Sequence, residues 1–391
     1  MRTDVVIVGA GPAGLLLSHL LAADGVDSIV LESRSQAQVA ARVRAGVLEQ
    51  ATVDVLTDAG LGRRLAREGR RHDGIHLTWP DGGVFVDIAG LTGRSTVLYG
   101  QAEVQKDLVE AARQRGQRVL HGVSATRVHD AGTEQPCVSF TDAEGTPVRV
   151  RAAAVAGCDG SHGPSRGAVP ERARTRYERR YPHSWLAVLA QVAPSTEHVR
   201  YSWHPQGFAL HSMRSASVSR LYLQVPAGTD VADWPDDRVW EALALRLGSG
   251  RDGFELATGA ITEKSVVPVR SLVQTPMRHG RLFLAGDAAH VLPPTGAKGL
   301  NLAVADVALL APALVALVRK DDSGPADTYS ERALERVWRS TRFATWMTDL
   351  LHAGEDPFEA QLQLAQLRWL ARSRTARTDL AHHFAGVPLH R

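Results

Sequence analysis

The stretch from residue 5 to residue 32 constrains the fold more than any other part of the chain. An apolar run, Val5 to Val8, meets Gly9-Ala10-Gly11-Pro12-Ala13-Gly14, and a helical stretch continues to about Ala23. Asp24-Gly25 ends that helix, and Ser28 to Leu31 reads as the next strand, closing on Glu32. A short unbroken apolar run bounded by glycine suits a strand buried in a parallel sheet, so the unit is β-α-β. Gly9 allows the tight turn, Gly11 lets the backbone approach a pyrophosphate, and Gly14 brings helix against strand. The helix start, which includes Ala13, offers free amides and a positive dipole end to phosphates. Glu32 stands where a carboxylate accepts from ribose hydroxyls. The motif predicts a dinucleotide site without separating NAD from FAD.

At 391 residues the chain is long enough for two or three domains. Two cysteines, Cys137 and Cys158, exclude a disulfide scaffold and a cysteine-based zinc site, and no metal is expected. The most apolar run, Leu302 to Val318, is interrupted by Asp306 and Pro312, so no membrane span is expected. The N-terminus has no signal-peptide cleavage region, and a cytoplasmic location is expected. The net charge of +3 is spread along the chain without a basic block, which argues against a nucleic-acid partner. Only four of 45 basic residues are Lys, so a Lys inside a motif, such as Lys298, carries more weight than any one Arg.

Further helices are expected from about Ala45 to Ala59 and from Ala102 to Arg115. Strands are expected at 75–77, 84–88, 119–128, 137–140, 148–150 and 153–156. From about 175 to 275 aromatic and polar residues alternate, as in antiparallel strands of a separate domain. An apolar strand, Leu282 to Ala285, then leads into a long helix after Gly299, and helical stretches Ser330–Leu350 and Phe358–Ala371 finish the chain. Because alternate strand residues share a face, Phe208, Leu210, Ser212 and Arg214 face one way. Arg220, Tyr222 and Gln224 do the same on the next strand. Apolar walls ending in Ser212, Arg214 and Tyr222 suit a flat ring carrying one carboxylate, which Arg214 would grip with two hydrogen bonds.

Two later segments are more specific. Ala156-Gly157-Cys158-Asp159-Gly160, with Arg166, follows a mid-chain strand. Arg281 to His290, containing Gly286-Asp287, leads into Pro293-Pro294-Thr295-Gly296-Ala297-Lys298-Gly299-Leu300-Asn301. With these the chain resembles the single-component (class A) flavoprotein aromatic hydroxylases. The resemblance implies an α/β fold. A Rossmann-like FAD-binding domain, 1–174 and 276–391, would be interrupted by a sheet-rich substrate domain, 175–275, and closed by C-terminal helices. It implies FAD held by Gly9, Gly11, Ala13, Gly14, Glu32, Arg42, Gln101, Asp159 and Asp287, with Lys298, Gly299, Leu300 and Asn301 along the pyrimidine edge. Amides at a helix start would there stabilise charge accumulating on reduction. Arg44 and Arg220 would steer flavin movement.

The resemblance also implies a small aromatic carboxylate as substrate, bound by Leu210, Ser212, Arg214 and Tyr222. Tyr201 and the Pro294 carbonyl would meet its hydroxyl, and His72 would be the far end of a proton relay. NADPH or NADH would bind through Ser33, Arg34, Gln38, Arg44, His162, Arg166 and Arg270. The reaction implied is hydroxylation of 4-hydroxybenzoate at C3 by O2, through a flavin C4a-hydroperoxide, in a homodimer. A phenol near pKa 10 is about 0.1% ionised at pH 7, so the site should favour the more nucleophilic phenolate.

The chain departs from the family twice. The family carries a tyrosine in a Tyr-x-Gly-x-Pro pattern where Phe384-Ala385-Gly386-Val387-Pro388 stands, so the relay lacks a hydroxyl and 3,4-dihydroxybenzoate, or 4-aminobenzoate, becomes an alternative substrate. NADPH-selective members place Arg and Tyr where Ser33 and Gln38 stand, which leaves the donor open. A flavin halogenase would need a Trp-x-Trp-x-x-Pro segment, which is absent. A non-catalytic binder on the same fold would need no flavin.

Overall fold

The computed structural model describes residues 1–40, 46–251 and 253–389. Its first sheet has six strands in the order Arg278–His279, Leu282–Leu284, Ala154–Gly157, Val5–Val8, Ser28–Glu32, Arg118–His121. All neighbours are parallel except the terminal hairpin Arg278–His279 with Leu282–Leu284. The register aligns Val8 with Leu31 and with Gly157, and Gly157 with Leu284. Four loops therefore leave one edge side by side: the glycine turn, Glu32, Cys158-Asp159 and Gly286-Asp287. This is the carboxyl edge, where open α/β sheets take ligands. The central strands are buried on both faces, as their unbroken apolar sequences require.

The second sheet has eight strands in the order His290–Val291, Ala260–Thr275, Thr175–Gln191, Ser219–Pro226, Ala209–Met213, Val199–Ser202, Gly74–Trp79, Gly82–Asp87. It takes its first strand and its last two from outside the 175–275 span, and Val199–Ser202 runs parallel to Gly74–Trp79. The C-terminal helices Gly324–Leu351, Pro357–Arg372 and Arg374–Ala385 join it in an aromatic core containing Tyr181, Trp185, Tyr201, Trp203, Phe208 and Tyr222. The α/β class with a large sheet and C-terminal helices is as the sequence implied.

Some elements differ. The expected 119–128 strand is broken at Gly122, whose φ is +73°, into Arg118–His121 of the first sheet and Ser124–His129 of a separate three-stranded sheet. The helix expected from about Ala45 to Ala59 is seen as Gln50–Asp58, and residues 41–45, which include the expected site residues Arg42 and Arg44, lie outside the described residues. Helices Gly62–Glu68, Asp236–Leu247 and Arg374–Ala385 were not anticipated. Asp306 and Pro312 do not break Gly299–Arg319, a helix long and apolar enough to cross a membrane. Here it is a core helix, mostly buried and packed on Pro12–Ala23 and Gly324–Leu351. Asp306 is tolerated because its Oδ2 accepts from Gly286 N at 2.8 Å and His290 Nε2 at 2.7 Å, inside the fold.

Candidate active site

The glycine turn is built as its spacing demands. A β-carbon on Gly14 would stand 1.9 Å from the Gly9 carbonyl oxygen, and one on Gly9 (φ +103°) 2.4 Å from that of Cys158. At Gly11, by contrast, a β-carbon would meet no atom within 4 Å. Two glycines thus serve packing, and the third leaves open a place for a ligand. Glu32 is held at this turn, its Oε2 accepting from Ala10 N at 2.8 Å and its Oε1 from Arg34 N at 3.0 Å. Gln105 Nε2 donates to Ala10 O at 2.7 Å, while its buried Oε1 has no partner among the described residues. Asp159 behaves alike. Its Oδ2 accepts from Ser165 N at 2.8 Å, its Oδ1 is buried with no partner among the described residues, and burial raises its pKa. Unpartnered buried oxygens beside an open glycine are what a hydroxyl-rich dinucleotide would satisfy. These residues therefore fit FAD.

Gly286-Asp287 forms a 3-10 turn beside this loop, and Gly299–Asn301 begin the core helix. The first-turn amides of a helix lack intrahelical acceptors, and the first bond here runs from Leu302 N to Lys298 O. A β-carbon on Gly299 would meet no atom within 4 Å, and Ala297 before it has φ +53°. The side chains of this turn point elsewhere than the motif suggested. Lys298 is buried, its Nζ donating to Glu49 Oε1 at 2.6 Å and Phe384 O at 2.9 Å. Asn301 Oδ1 accepts from Glu49 N and Thr52 Oγ1, and its Nδ2 donates to Val47 O and Ala297 O. Only their backbones are left to face a ligand. Gln101 sits at the first position of the Gln101–Gln114 helix.

On the large sheet, Tyr201 pairs with Leu210, Leu210 with Tyr222, and Ser212 with Arg220. Residues opposite one another share a face, so the register confirms one polar-ended apolar surface. Ser212 Oγ donates to Arg220 O at 3.2 Å, and Arg220 Nε donates to Tyr222 Oη at 2.6 Å. Arg214 follows the strand end, half-buried, and no carboxylate among the described residues pairs with it. Burial, then the neighbouring Arg220, lowers its pKa. Tyr201 is buried, and burial raises its pKa. Its hydroxyl donates to Thr295 O at 3.1 Å, one residue beyond the expected Pro294.

Phe384 lies edge-on to Tyr201, ring centroids 6.3 Å apart, where the expected second tyrosine would be. His72, expected at the far end of the relay, lies on the Arg70–His72 strand, in a different sheet from Tyr201. Its ring meets His198 at 5.7 Å, and burial, then His198, push its pKa down to about 4. Arg166 is likewise engaged within the fold. Its Nε donates to Ala288 O at 2.8 Å and its Nη2 to Asp287 O, so it braces the two FAD loops against each other. Gln38 Oε1 accepts from Ser35 N at 3.1 Å and Gln38 N donates to Ser35 Oγ at 3.3 Å in return, a capping pair, and Ser33 Oγ donates to Glu32 Oε1 at 3.4 Å. Arg34, His162 and Arg270 remain partly or fully exposed. Sequence reasoning missed Gln105, Asp306 and Trp185. Only Asp306, a charge inside an apolar helix, carried a signal.

A family model described as an FAD binding domain matches residues 2–344. The p-hydroxybenzoate hydroxylase of Acinetobacter baylyi is 43% identical over 391 residues, covering 99% of this chain and 96% of the relative. The chain belongs to this family. It is an FAD-dependent aromatic monooxygenase of the class that draws electrons from NAD(P)H. Among solved structures, p-nitrophenol 4-monooxygenase from Pseudomonas putida aligns with a TM-score of 0.83 at 21% identity, covering 98% of this chain and 99% of that one. A Diels-Alderase of pyrroindomycin biosynthesis aligns at 0.80 with 24% identity, covering 98% and 80%. These likenesses are of fold, and the second shows that the fold alone does not fix the chemistry.

Proposed function

We propose that this monooxygenase hydroxylates 4-hydroxybenzoate at C3. One oxygen atom of O2 enters the ring as 3,4-dihydroxybenzoate and the other leaves as water, while NAD(P)H is oxidised. FAD, when bound, carries the electrons from donor to O2 and delivers the oxygen atom. The observation that carries the reading is Arg214: a half-buried guanidinium with no carboxylate partner among the described residues, beside Ser212 and Tyr222 on an apolar sheet face. A buried cation favours an anion there, and the planar fork matches a carboxylate with two bonds. That supports the substrate named for the 43% identical relative.

Tyr201 works at the other end. Its raised pKa keeps the proton on, so it is a hydrogen-bond donor. A phenolate is a stronger acceptor than the Thr295 carbonyl it meets here, so Tyr201 would favour the ionised substrate. Phe384 offers no hydroxyl, so the phenol's proton leaves through water rather than a second tyrosine. The bare position beside Tyr201 also supports use of 3,4-dihydroxybenzoate as a second substrate. For the donor, Arg34, Arg270 and His162 are, among the described residues expected to meet it, the basic side chains left exposed for a nicotinamide dinucleotide. A homodimer fits the exposed Phe358, Leu362 and Trp369 on the Pro357–Arg372 helix, and a cytoplasmic location fits the dependence on NAD(P)H. The test is oxidation of NADPH and NADH by the holoenzyme with a panel of 4-substituted benzoates. 3,4-Dihydroxybenzoate carrying 18O from 18O2 is the expected product, and its absence with 4-hydroxybenzoate would overturn the reading.

A further inference from the structure

Beside Tyr222 and Phe208, on the same face of the sheet, lies a buried polar chain. Trp185 Nε1 donates to His352 Nε2 at 2.6 Å, and His352 Nδ1 donates to Thr348 O at 2.8 Å. An indole nitrogen is only a donor and a carbonyl only an acceptor, so His352 is neutral with its proton on Nδ1. Burial, which holds its pKa well below the ordinary histidine range, preserves that form. Thr348 gives its own hydroxyl proton to Ala344 O, so Thr295 is the donor in the 2.8 Å contact between the two threonine hydroxyls. Thr295 is also the residue whose carbonyl Tyr201 meets.

The chain therefore ties together the two ends of the substrate face. Trp185 packs on Tyr222, ring centroids 4.8 Å apart, and stacks on Phe208 at 5.2 Å. The His352 ring lies on Phe208 at 4.6 Å and on His183 at 4.3 Å. Trp185 and His352 are both buried, so neither can exchange its partner for solvent.

We propose that His352 is a positioning residue for substrate binding: it fixes the Trp185 indole that backs Tyr222, and through Thr348 and Thr295 it holds the carbonyl that Tyr201 engages. The inference rests on the substrate reading above. Removing the acceptor leaves the indole N–H buried and unsatisfied, and the ring is released to shift.

The test is a double-mutant cycle on the FAD-loaded enzyme, with His352→Phe, Trp185→Phe and the double variant. Binding of 4-hydroxybenzoate is read by flavin absorbance, alongside KM, kcat and thermal melting. His352→Phe should raise Kd and KM by roughly tenfold, about 1.4 kcal/mol, with kcat changed much less. Trp185→Phe should do likewise, and the double variant should bind no worse than the weaker single one. His352→Gln, whose amide oxygen can accept from the indole, should recover most of the affinity. Effects on Kd that multiply in the double variant, or a lowered melting temperature with Kd unchanged, would overturn the proposal. A wild-type enzyme that does not bind 4-hydroxybenzoate would overturn the substrate reading and this one with it.

Discussion

The Arg214 guanidinium lies directly on the α-carbon of Gly100: a β-carbon there would stand 2.0 Å from Nη1 and 2.6 Å from Cζ. Gly100 caps the Gln101–Gln114 helix with φ −56°, so its backbone is one any residue can adopt. What requires glycine is the space that Arg214 occupies. Gly100→Ala should therefore fold normally but displace the guanidinium. The Kd of 4-hydroxybenzoate should rise at least about tenfold, while a 4-substituted phenol without a carboxylate binds as before. Equal losses for both ligands would remove Arg214 from the carboxylate end.

The glycine turn offers a contrast within one motif. Gly14→Ala drives a β-carbon into the Gly9 carbonyl and should lower the melting temperature of the apoprotein sharply. Gly11→Ala meets no protein atom, so the apoprotein should melt as wild type, while FAD affinity falls because the added methyl occupies the ligand's approach. Differential scanning of the apoprotein, with FAD titration, separates the two. Tight FAD binding by Gly11→Ala would sink the assignment.

Burial holds His72, His183 and His211 at pKa values of about 4, below the ordinary 6.5. Between those values the unfolded chain binds more protons than the folded one, so stability rises with pH across that window and is lost as pH falls from about 6.5 toward 4. His211 Nε2 accepts from Ser195 N at 3.1 Å, a bond protonation breaks. His211→Gln can keep an acceptor without titrating. Its melting temperature should drop less than that of wild type between pH 7 and pH 5, and an identical drop would exclude His211 as a contributor.

Lys298 and Glu49 form a buried pair that also binds the carbonyl of Phe384. Lys298→Met should cost roughly 3–5 kcal/mol by stranding the Glu49 carboxylate. Adding Glu49→Gln should recover part of that loss in urea unfolding. If the double variant is no more stable than the single one, the Glu49 charge is not the source of the penalty.

Phe384 sets the last prediction. Phe384→Tyr places a hydroxyl beside Tyr201 and should lower turnover of 3,4-dihydroxybenzoate relative to 4-hydroxybenzoate. An unchanged ratio of the two rates would show that the missing oxygen does not widen the substrate range.

How far the sequence reached depended on how local each decision was. The β-α-β opening, the three fingerprint turns and the facing of Ser212 and Tyr222 follow from spacing and strand alternation, which nearest-neighbour sterics impose. The break at Gly122 was less legible, because a single glycine inside a run of strand-forming residues fits either one strand or two. The apolar run Leu302 to Val318 read as interrupted at Asp306 for a membrane span, yet the Gly299–Arg319 helix buries that carboxylate because Gly286 and His290, distant in sequence, satisfy it.

Roles of individual polar side chains lay further out of reach. Nothing in the order of residues says that Lys298 turns inward to Glu49, that Arg166 is taken up by the Asp287 and Ala288 carbonyls, or that His352 accepts from Trp185. By itself the sequence determined the class of fold, the dinucleotide edge and the face that carries Arg214, since these depend on periodicity and on glycine's missing side chain. Tertiary structure alone decided which charges are free to meet a ligand, because each buried donor or acceptor takes a partner that only folding brings within about 3 Å.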